Sequence, residues 1–243
     1  MKYLIIGNSA AAIGAVEGIR SVDGNGEITV VSKENHHSYS KPLISYYLAG
    51  KVNAGQMYFR EADFYKQNRV DCYFGEEATS LSNISRHVHV EPSGYDLPYD
   101  RLLIATGGKP VFPPSFSATY HNVFNFHQLN DVERINRYAA VPMRAIVVGG
   151  GLIGLKAAES LYNRGHAVTI VEAAPHLLNS MLEANSAAIV YEHVQMHGIK
   201  IILANTVEAV LGKDKAEALI LKDGSIEECD LVVVAAGTRP SAD

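Results

Sequence analysis

The 243-residue sequence is poor in cysteine: it has only Cys72 and Cys229, which lie far apart and form no Cys-x-x-Cys spacing. This scarcity excludes a disulfide scaffold and indicates a reducing, cytoplasmic environment. Each cysteine is predicted to be a small buried apolar residue and not a redox centre.

Other features of membrane, nucleic-acid-binding and metal-binding proteins are also missing. No apolar run reaches the 18 residues that span a bilayer, and the chain opens on a strand-like segment instead of a secretory signal. The net charge of −5 comes without a cluster of Lys and Arg, which argues against a nucleic-acid partner. His193 and His197 have helical i, i+4 spacing but no third ligand, so we predict a solvated helix face and no metal site.

What the sequence does contain is one arrangement of elements, present twice. The strand–helix–strand segments are predicted at residues 2–6, 10–20 and 27–31, and again at 145–148, 152–164 and 167–172. Short strands separated by turn residues follow in both copies, and a buried strand closes each one. The sequence therefore predicts an α/β protein with two Rossmann-like domains, each a βαβ unit plus a β-meander, of the three-layer ββα type.

A complete dinucleotide fingerprint follows the first strand of the second copy. Gly149, Gly151 and Gly154 have the Gly-x-Gly-x-x-Gly spacing. The first glycine makes a tight turn, the second admits a pyrophosphate, and the third lets the helix pack against the strand. The phosphates are expected on the free N–H groups at the helix start, beside Leu152 and Ile153. A purely structural glycine-rich turn is the alternative interpretation.

The next strand of this copy ends at an acidic residue, Glu172, at the distance expected for a ribose-binding carboxylate. Such a carboxylate accepts a hydrogen bond from the 2′-hydroxyl and repels a 2′-phosphate. Ala173 and Ala174 follow it and offer no cation to a phosphate. The sequence therefore favours NADH over NADPH.

The fingerprint of the first copy is relaxed. Gly7 keeps the turn, but Ser9 and Ala12 stand where glycines are usual, on either side of Ala10. Both are small, so close approach of a phosphate and close packing of the helix remain feasible. The acid is displaced as well, because Ser32 ends the strand and Glu34 follows two residues later.

Two further segments complete a recognisable pattern. Residues 103–110 read Leu-Ile-Ala-Thr-Gly-Gly-Lys-Pro, and residues 234–240 read Val-Ala-Ala-Gly-Thr-Arg-Pro. With the two fingerprints, in this order, they make the chain resemble the pyridine nucleotide-disulfide oxidoreductase family of flavoproteins. The resemblance implies FAD in a domain at 1–108, NADH in a domain at 109–236, and a return toward the FAD domain at 237–243.

The resemblance also defines two sets of expected cofactor-binding residues. For FAD it implies Gly7, Ser9, Ala10, Ala12, Ser32, Glu34, Lys41, Pro42, Ala78, Ala105, Thr106 and Gly107. For NADH it implies Gly149, Gly151, Leu152, Ile153, Gly154, Glu172, Ala236 and Gly237.

No cysteine stands in segment 38–48, where the thiol-dependent members of the family have theirs. The stretch Tyr39-Ser40-Lys41-Pro42 is similar to NADH:rubredoxin reductases and to the flavin half of NADH-dependent nitrite reductases. This similarity implies hydride transfer from NADH to FAD, then electron transfer to a rubredoxin-like or iron–sulfur protein or a nitrite reductase-type partner. Lys41 is expected beside the flavin, where a cation stabilises the reduced ring; an ordinary surface lysine is the alternative.

One position departs from the family pattern. Many relatives have Gly-x-Ile-Gly-x-Glu in the second fingerprint helix, with the Glu near the nicotinamide, and here that position is Lys156. Glu159, at i+3, either replaces the missing acid or forms a surface pair with Lys156. Relatives also continue past the segment that ends at Pro240. The rest of the FAD domain and a C-terminal interface domain are therefore expected to be absent. A non-catalytic nucleotide-binding subunit, a fragment with weakened FAD binding and a homo-oligomer stay open.

Overall fold

The computed structural model describes residues 1–116 and 120–241, and the chain divides into two compact units. The first comprises Met1–Ser40, Ala54–Gly108 and the end of the chain from Pro240, and the second comprises Lys41–Asn53 and Lys109–Arg239. The division by bound cofactor at residues 108 and 236 stays a prediction. Residues 242–243 of the predicted return segment lie outside the described residues.

The elements up to residue 110 are, in chain order, β1 (Lys2–Ile6), α1 (Ala10–Val22), β2 (Glu27–Ser32), α2 (Ile44–Leu48), α3 (Phe64–Gln67), β3 (Val70–Phe74), β4 (Glu77–Ser82), β5 (His87–Glu91), β6 (Tyr95–Pro98), β7 (Arg101–Ile104) and β8 (Gly108–Pro110). The later elements are β9 (Val123–Asn125), α4 (Leu129–Tyr138), β10 (Arg144–Val148), α5 (Leu152–Asn163), β11 (Ala167–Val171), α6 (Ala184–Met196), β12 (Lys200–Ile202), β13 (Val207–Leu211), β14 (Ala218–Leu221), β15 (Ile226–Glu228), β16 (Leu231–Val234) and β17 (Thr238–Pro240).

The first unit is built on a parallel four-stranded sheet with the order β3-β2-β1-β7. Its central strand β1 is apolar on both faces, and Leu4 and Ile5 are each 1% exposed, as a parallel strand covered on two sides requires. The helix α1 packs Ala12, Ile13 and Val16 against one face of the sheet. The meander β4-β5-β6 covers the other face, where its Val88 and Val90 join Leu4. Each fully buried aliphatic side chain contributes about 1.5–3 kcal/mol.

The second unit repeats this plan on a parallel five-stranded sheet with the order β12-β11-β10-β16-β9. The helix α5 buries Ala157, Ala158 and Leu161. The meander β13-β14-β15 packs Leu219 and Leu221 against β10 and β16. The pairing of the first two strands is also repeated: Ile6 pairs with Val31 in one unit, and Val148 pairs with Val171 in the other. The predicted fold class is therefore confirmed.

Two local predictions were wrong. Cys72 is exposed because β3 is an edge strand of its sheet, whereas Cys229 is buried as expected. The helix predicted to be capped by Asn130 or Asp131 has Gln128 as its N-cap instead. The Asp131 carboxylate accepts the Gln128 backbone N–H at 2.9 Å, which closes a capping box. No helix within the described part of the chain combines the length and apolarity needed to cross a membrane.

Candidate functional site

The turn after β10 can be made only by glycine at its first position. Gly149 has φ +115°, and a Cβ built on it would lie 2.4 Å from the carbonyl oxygen of Ala235 at the end of β16. Its N–H donates to the Val171 carbonyl at 2.8 Å, which fixes the turn against β11. The first fingerprint glycine therefore lets three strand ends meet closely.

The other two glycines of this fingerprint have different surroundings. Gly151 is the N-cap of α5, with no side-chain cap, and a Cβ there would meet no described heavy atom within 4 Å. A Cβ on Gly154 would lie 1.9 Å from the Gly149 carbonyl oxygen, so α5 packs directly on the turn. The open position and the positive end of α5 together form a place where a phosphate can approach backbone N–H groups.

A cavity of about 510 Å³ opens at this turn. Its lining includes seven of the eight residues predicted for NADH, namely Gly149, Gly151, Leu152, Ile153, Glu172, Ala236 and Gly237. The remaining one, Gly154, is buried below the turn. Leu152 and Ile153 are about half exposed, at 51% and 50%, and present apolar surface at the cavity. The size falls in the usual range of ligand sites.

Glu172 interacts with the fingerprint itself. Its carboxylate accepts the backbone N–H of Gly150, and its other oxygen accepts the N–H of Ala174 at 2.7 Å. A Cβ on Gly150 would come within 3.0 Å of that carboxylate and 2.7 Å of Leu177 Cδ2, so a side chain at this position would have to displace both groups. The acid is thus held at the cavity by two backbone N–H groups.

The first fingerprint has the same backbone geometry. Gly7 has φ +118°, and a Cβ on it would lie 2.1 Å from the Ala105 carbonyl oxygen at the end of β7. Its N–H donates to the Val31 carbonyl at 2.8 Å, as Gly149 does to Val171. Ser9 is the N-cap of α1 and makes no side-chain cap, so the first N–H groups of α1 are accessible as those of α5 are.

The other residues predicted for FAD in the first unit lie around this turn or in the sheets next to it. Ala10 begins α1 and is exposed, and Ala12 is buried on the inner face of that helix. Ser32 is buried at the end of β2. Ala78 is half-buried in β4, where it packs against the cluster between the two sheets. Glu34 accepts a hydrogen bond from the Tyr39 hydroxyl at 2.5 Å.

The segment after β7 is joined to the end of the described chain. The Thr106 hydroxyl donates to the Ser241 carbonyl at 2.8 Å, and the Ser241 N–H donates to the Gly107 carbonyl at 2.9 Å. Gly107 has φ +66°, a conformation that favours glycine. Ser241 thus bonds within the first unit, and the return toward the FAD domain at 237–243 stays a prediction.

Sequence reasoning missed a pair of residues at the first fingerprint. Asn8 stands between Gly7 and Ser9, where the second copy has Gly150. Its side-chain oxygen accepts the Tyr65 hydroxyl at 2.5 Å, and its Nδ2 donates to the His36 carbonyl at 3.0 Å. The sequence did contain a signal for this pair, because Asn8 is a polar residue at a position that is glycine in the other copy.

Lys41 and Pro42 belong to the second unit, where the 3-10 turn Lys41–Leu43 leads into α2. They are therefore not in the same unit as Gly7. The role of Lys41 beside the flavin stays a prediction.

The predicted pair between Lys156 and Glu159 is present in the second unit. Glu159 also faces Lys51 at 3.7 Å, and both ammonium groups lie over the Tyr46 ring, 5.2 Å away for Lys156 and 5.8 Å for Lys51. The hydrogen bond with Lys156, assisted by the charge of Lys51, lowers the pKa of the Glu159 carboxyl below its usual value. Its catalytic role stays a prediction.

These features fit a dinucleotide at each fingerprint. Both turns bring a glycine so close to a neighbouring carbonyl that a side chain is excluded, and both point the uncapped start of a helix at the turn. The second has, in addition, a cavity and a carboxylate where a ribose hydroxyl needs an acceptor.

Comparisons with known proteins match the whole chain. The family model described as pyridine nucleotide-disulphide oxidoreductase matches residues 1–243. The nitrite reductase [NAD(P)H] of Bacillus subtilis (strain 168) is 31% identical over 241 residues, which are 99% of this chain and 30% of that protein. The NADH-dependent phenylglyoxylate dehydrogenase subunit epsilon of Aromatoleum evansii is 32% identical over 242 residues, 100% of this chain and 57% of that one.

Two solved structures also superpose on nearly the whole chain. The covalent putidaredoxin reductase–putidaredoxin complex superposes with a TM-score of 0.91 at 28% identity, covering 98% of this chain and 59% of that one. A NAD-dependent persulfide reductase from A. fulgidus gives 0.93 at 29% identity, covering 99% and 47%. The chain thus spans less than two thirds of the length of each of these four proteins.

Proposed function

Because this chain belongs to the pyridine nucleotide-disulphide oxidoreductase family, we propose that it is a flavin-dependent NADH oxidoreductase that passes electrons to another protein. The observation that carries the proposal is the repeated turn geometry, with Gly7 against Ala105 in one unit and Gly149 against Ala235 in the other. Two sites of the same kind in one chain suit two dinucleotides, a donor and a relay.

FAD, when bound, supplies an isoalloxazine ring that takes up a hydride and can release electrons one at a time. The residues of this chain that would hold its pyrophosphate are Gly7, Ser9 and the first N–H groups of α1. Those that would hold the pyrophosphate of NADH are Gly149, Gly151 and the start of α5. In both places the backbone supplies the donors, so binding depends on the turn more than on side chains.

Glu172 is proposed to select NADH. Its carboxylate already accepts two backbone N–H groups and has lone pairs left for a ribose hydroxyl. A 2′-phosphate placed there would meet the negative charge. Ala173 and Ala174 offer no compensating cation.

The partner is proposed to be a rubredoxin-like or iron–sulfur protein. Relatives of this chain include proteins named putidaredoxin reductase, from Pseudomonas putida, and terpredoxin reductase, from Pseudomonas sp. Segment 38–48 contains no cysteine, and Cys229 is buried with its thiol pKa raised to about 11 by burial. Electron transfer without a redox-active cysteine is therefore part of the proposal.

The proposal is tested by anaerobic titration of the purified chain, supplied with FAD, while flavin absorbance is recorded. We expect NADH to bleach the flavin at lower concentration than NADPH, and Glu172→Ala to reduce this preference. Glu208→Ala, on an exposed residue of β13, is the matched control. Absence of bleaching with both nucleotides refutes the oxidoreductase proposal, and tight NADH binding without bleaching favours a nucleotide-binding subunit.

A further inference from the structure

A second cavity lies in the second unit, between the helices α5 and α6. Its volume is about 350 Å³, and it shares no lining residue with the cavity at the Gly149 turn. It follows the side of α5 that carries Leu155, Ala158 and Tyr162, beyond the residues that face the nucleotide cavity. Any molecule that binds there occupies a place separate from the predicted NADH site.

The cavity exists because α6 is loosely packed. Of its 13 residues, only Ala187 is fully buried, and Val190, Tyr191 and Val194 are half-buried. On the facing side α5 presents Ala158, whose methyl group does not fill the gap. Leu155, Ile170 and Ile199 form the remaining apolar floor. Apolar side chains that line an empty cavity have no contact partners on one side. They therefore lose favourable packing contacts unless a ligand fills the space.

The rim of the cavity carries an excess of cationic and imidazole groups. Lys51 and Lys156 stand on one side with Glu159 between them, so the two ammonium groups face a single carboxylate. On the other side, His193 and His197 lie one helical turn apart, with ring centroids 4.5 Å from each other. Both imidazoles are exposed at the rim.

Of the two lysines, Lys51 is the one placed to meet a ligand. Its ammonium lies 3.7 Å from Glu159, at the long end of ion-pair distances, and its side chain is half exposed. Both ammonium groups lie over the Tyr46 ring, but Lys156 forms the closer ion pair with Glu159 and its side chain is less exposed, 34% against 50% for Lys51. An incoming carboxylate can therefore contact Lys51 without breaking the tighter pair.

We propose that this cavity is a binding site for a small carboxylate with an apolar body. The apolar body rests on the floor formed by Leu155, Ile170 and Ile199, and the carboxylate accepts hydrogen bonds from the Lys51 ammonium and from an imidazole N–H of His193. The Nδ1–H of His197 already donates to the His193 carbonyl at 2.8 Å, so the His197 ring lines the site without donating to the ligand. A cavity of about 150 Å³ is enough for benzene, so the larger volume here admits a ring with a side chain. The inference stands on this cavity alone and does not rest on the proposed oxidoreductase function.

The test is isothermal titration calorimetry of the full chain with phenylacetate as probe. We expect saturable binding of one molecule, unchanged when NADH is present in excess. Lys51→Gln is expected to weaken it by roughly tenfold, the loss of one charge-assisted hydrogen bond. Lys222→Gln, on an exposed lysine in the turn between β14 and β15, is the control and should bind as the wild type does.

Two further variants keep the proposal falsifiable. Val194→Trp places a large side chain in the cavity and should abolish binding, while far-UV circular dichroism checks that the chain is folded. His193→Ala, at an exposed position, should weaken binding severalfold without affecting folding. Absence of phenylacetate binding to the wild type at 10 mM (about the concentration needed for a weak ligand) overturns the proposal. Binding that survives both Lys51→Gln and Val194→Trp overturns it as well.

Discussion

Replacing Tyr65 by phenylalanine removes one oxygen atom from the centre of a hydrogen-bond network in the first unit. The hydroxyl donates to the Asn8 side-chain oxygen at 2.5 Å and accepts the Ser38 N–H at 3.3 Å. The Tyr65 ring is 8% exposed and packs edge-on against Phe64 and Phe74, contacts that phenylalanine preserves. Tyr65→Phe therefore isolates the contribution of the hydroxyl.

The expected loss of stability follows from the polar groups that lose their hydrogen-bond partner. The Asn8 side-chain oxygen loses its donor, and the Ser38 N–H loses its acceptor in a place that water reaches poorly. Leaving one such buried group without a partner costs about 1–3 kcal/mol. Because the Ser38 bond is long and contributes less, we expect the free energy of unfolding to fall by about 2 kcal/mol. Such a loss is large against the roughly 5–15 kcal/mol that stabilises a typical protein.

Urea denaturation followed by far-UV circular dichroism measures this loss, since the chain contains no tryptophan to serve as a fluorescent probe. Tyr95→Phe, at a residue that is 58% exposed, is the matched control and should change the free energy by less than 0.5 kcal/mol (about the scatter for surface substitutions). Combining Asn8→Gly with Tyr65→Phe should cost less than the sum of the two. A Tyr65→Phe variant as stable as the Tyr95→Phe control would refute the reasoning.

The contribution of the Tyr65 hydroxyl to the free energy of unfolding is also expected to depend on pH. Burial raises the pKa of Tyr65 to about 12, so the unfolded chain ionises this phenol before the folded one does. The stability contributed by the neutral hydroxyl is complete below the usual tyrosine pKa of about 10 and is lost as pH rises to 12. The difference in urea midpoint between wild type and Tyr65→Phe should therefore shrink over this interval.

Two further predictions concern other parts of the chain. Gly154→Ala should weaken NADH binding and lower the free energy of unfolding by about 1–3 kcal/mol, because the new Cβ would lie 1.9 Å from the Gly149 carbonyl oxygen. The control is Gly18→Ala, in α1 with open space around it. In the same urea assay it should be neutral or stabilise the chain by up to about 1 kcal/mol. His89 has its pKa raised by its hydrogen bonds to Asp96 and Glu91, so Asp96→Asn should reduce stability below the unfolded histidine pKa of about 6.5, and the reduction should vanish as pH rises through the folded value. Urea midpoints at acidic and alkaline pH check this, and a difference that grows with pH contradicts it.

Much of the fold could be predicted from the sequence because buried parallel strands are visible as apolar runs. The strand β1 was predicted at its observed bounds, and the second fingerprint located the start of α5. Burial at sheet edges was harder to predict: the sequence around Cys72 is as strand-like as any other, and only the order of the strands shows that β3 is uncovered on one side. The sequence of a strand does not show whether that strand lies at the edge or in the centre of its sheet.

Some features of the candidate site could likewise be predicted from the sequence, and others could not. Gly7 and Gly149 could be predicted because a positive φ and a close carbonyl exclude every other residue at these two positions. The contact between Glu172 and the Gly150 N–H could not, since it depends on the path of the backbone after β11. The network of Asn8 and Tyr65 joins residues 57 positions apart, a distance over which no local pattern carries information.

The two fingerprints differ at the position that controls how closely the helix packs. Gly154 and Ala12 occupy the same place, third in α5 and third in α1. A Cβ at Gly154 would meet the Gly149 carbonyl oxygen at 1.9 Å, but Ala12 carries such a Cβ. We therefore expect α1 to lie farther from the Gly7 turn than α5 lies from the Gly149 turn. On this reasoning, the relaxed sequence of the first fingerprint keeps the backbone turn, as the matching φ angles of Gly7 and Gly149 show, and shifts the helix N-terminus that would hold a phosphate.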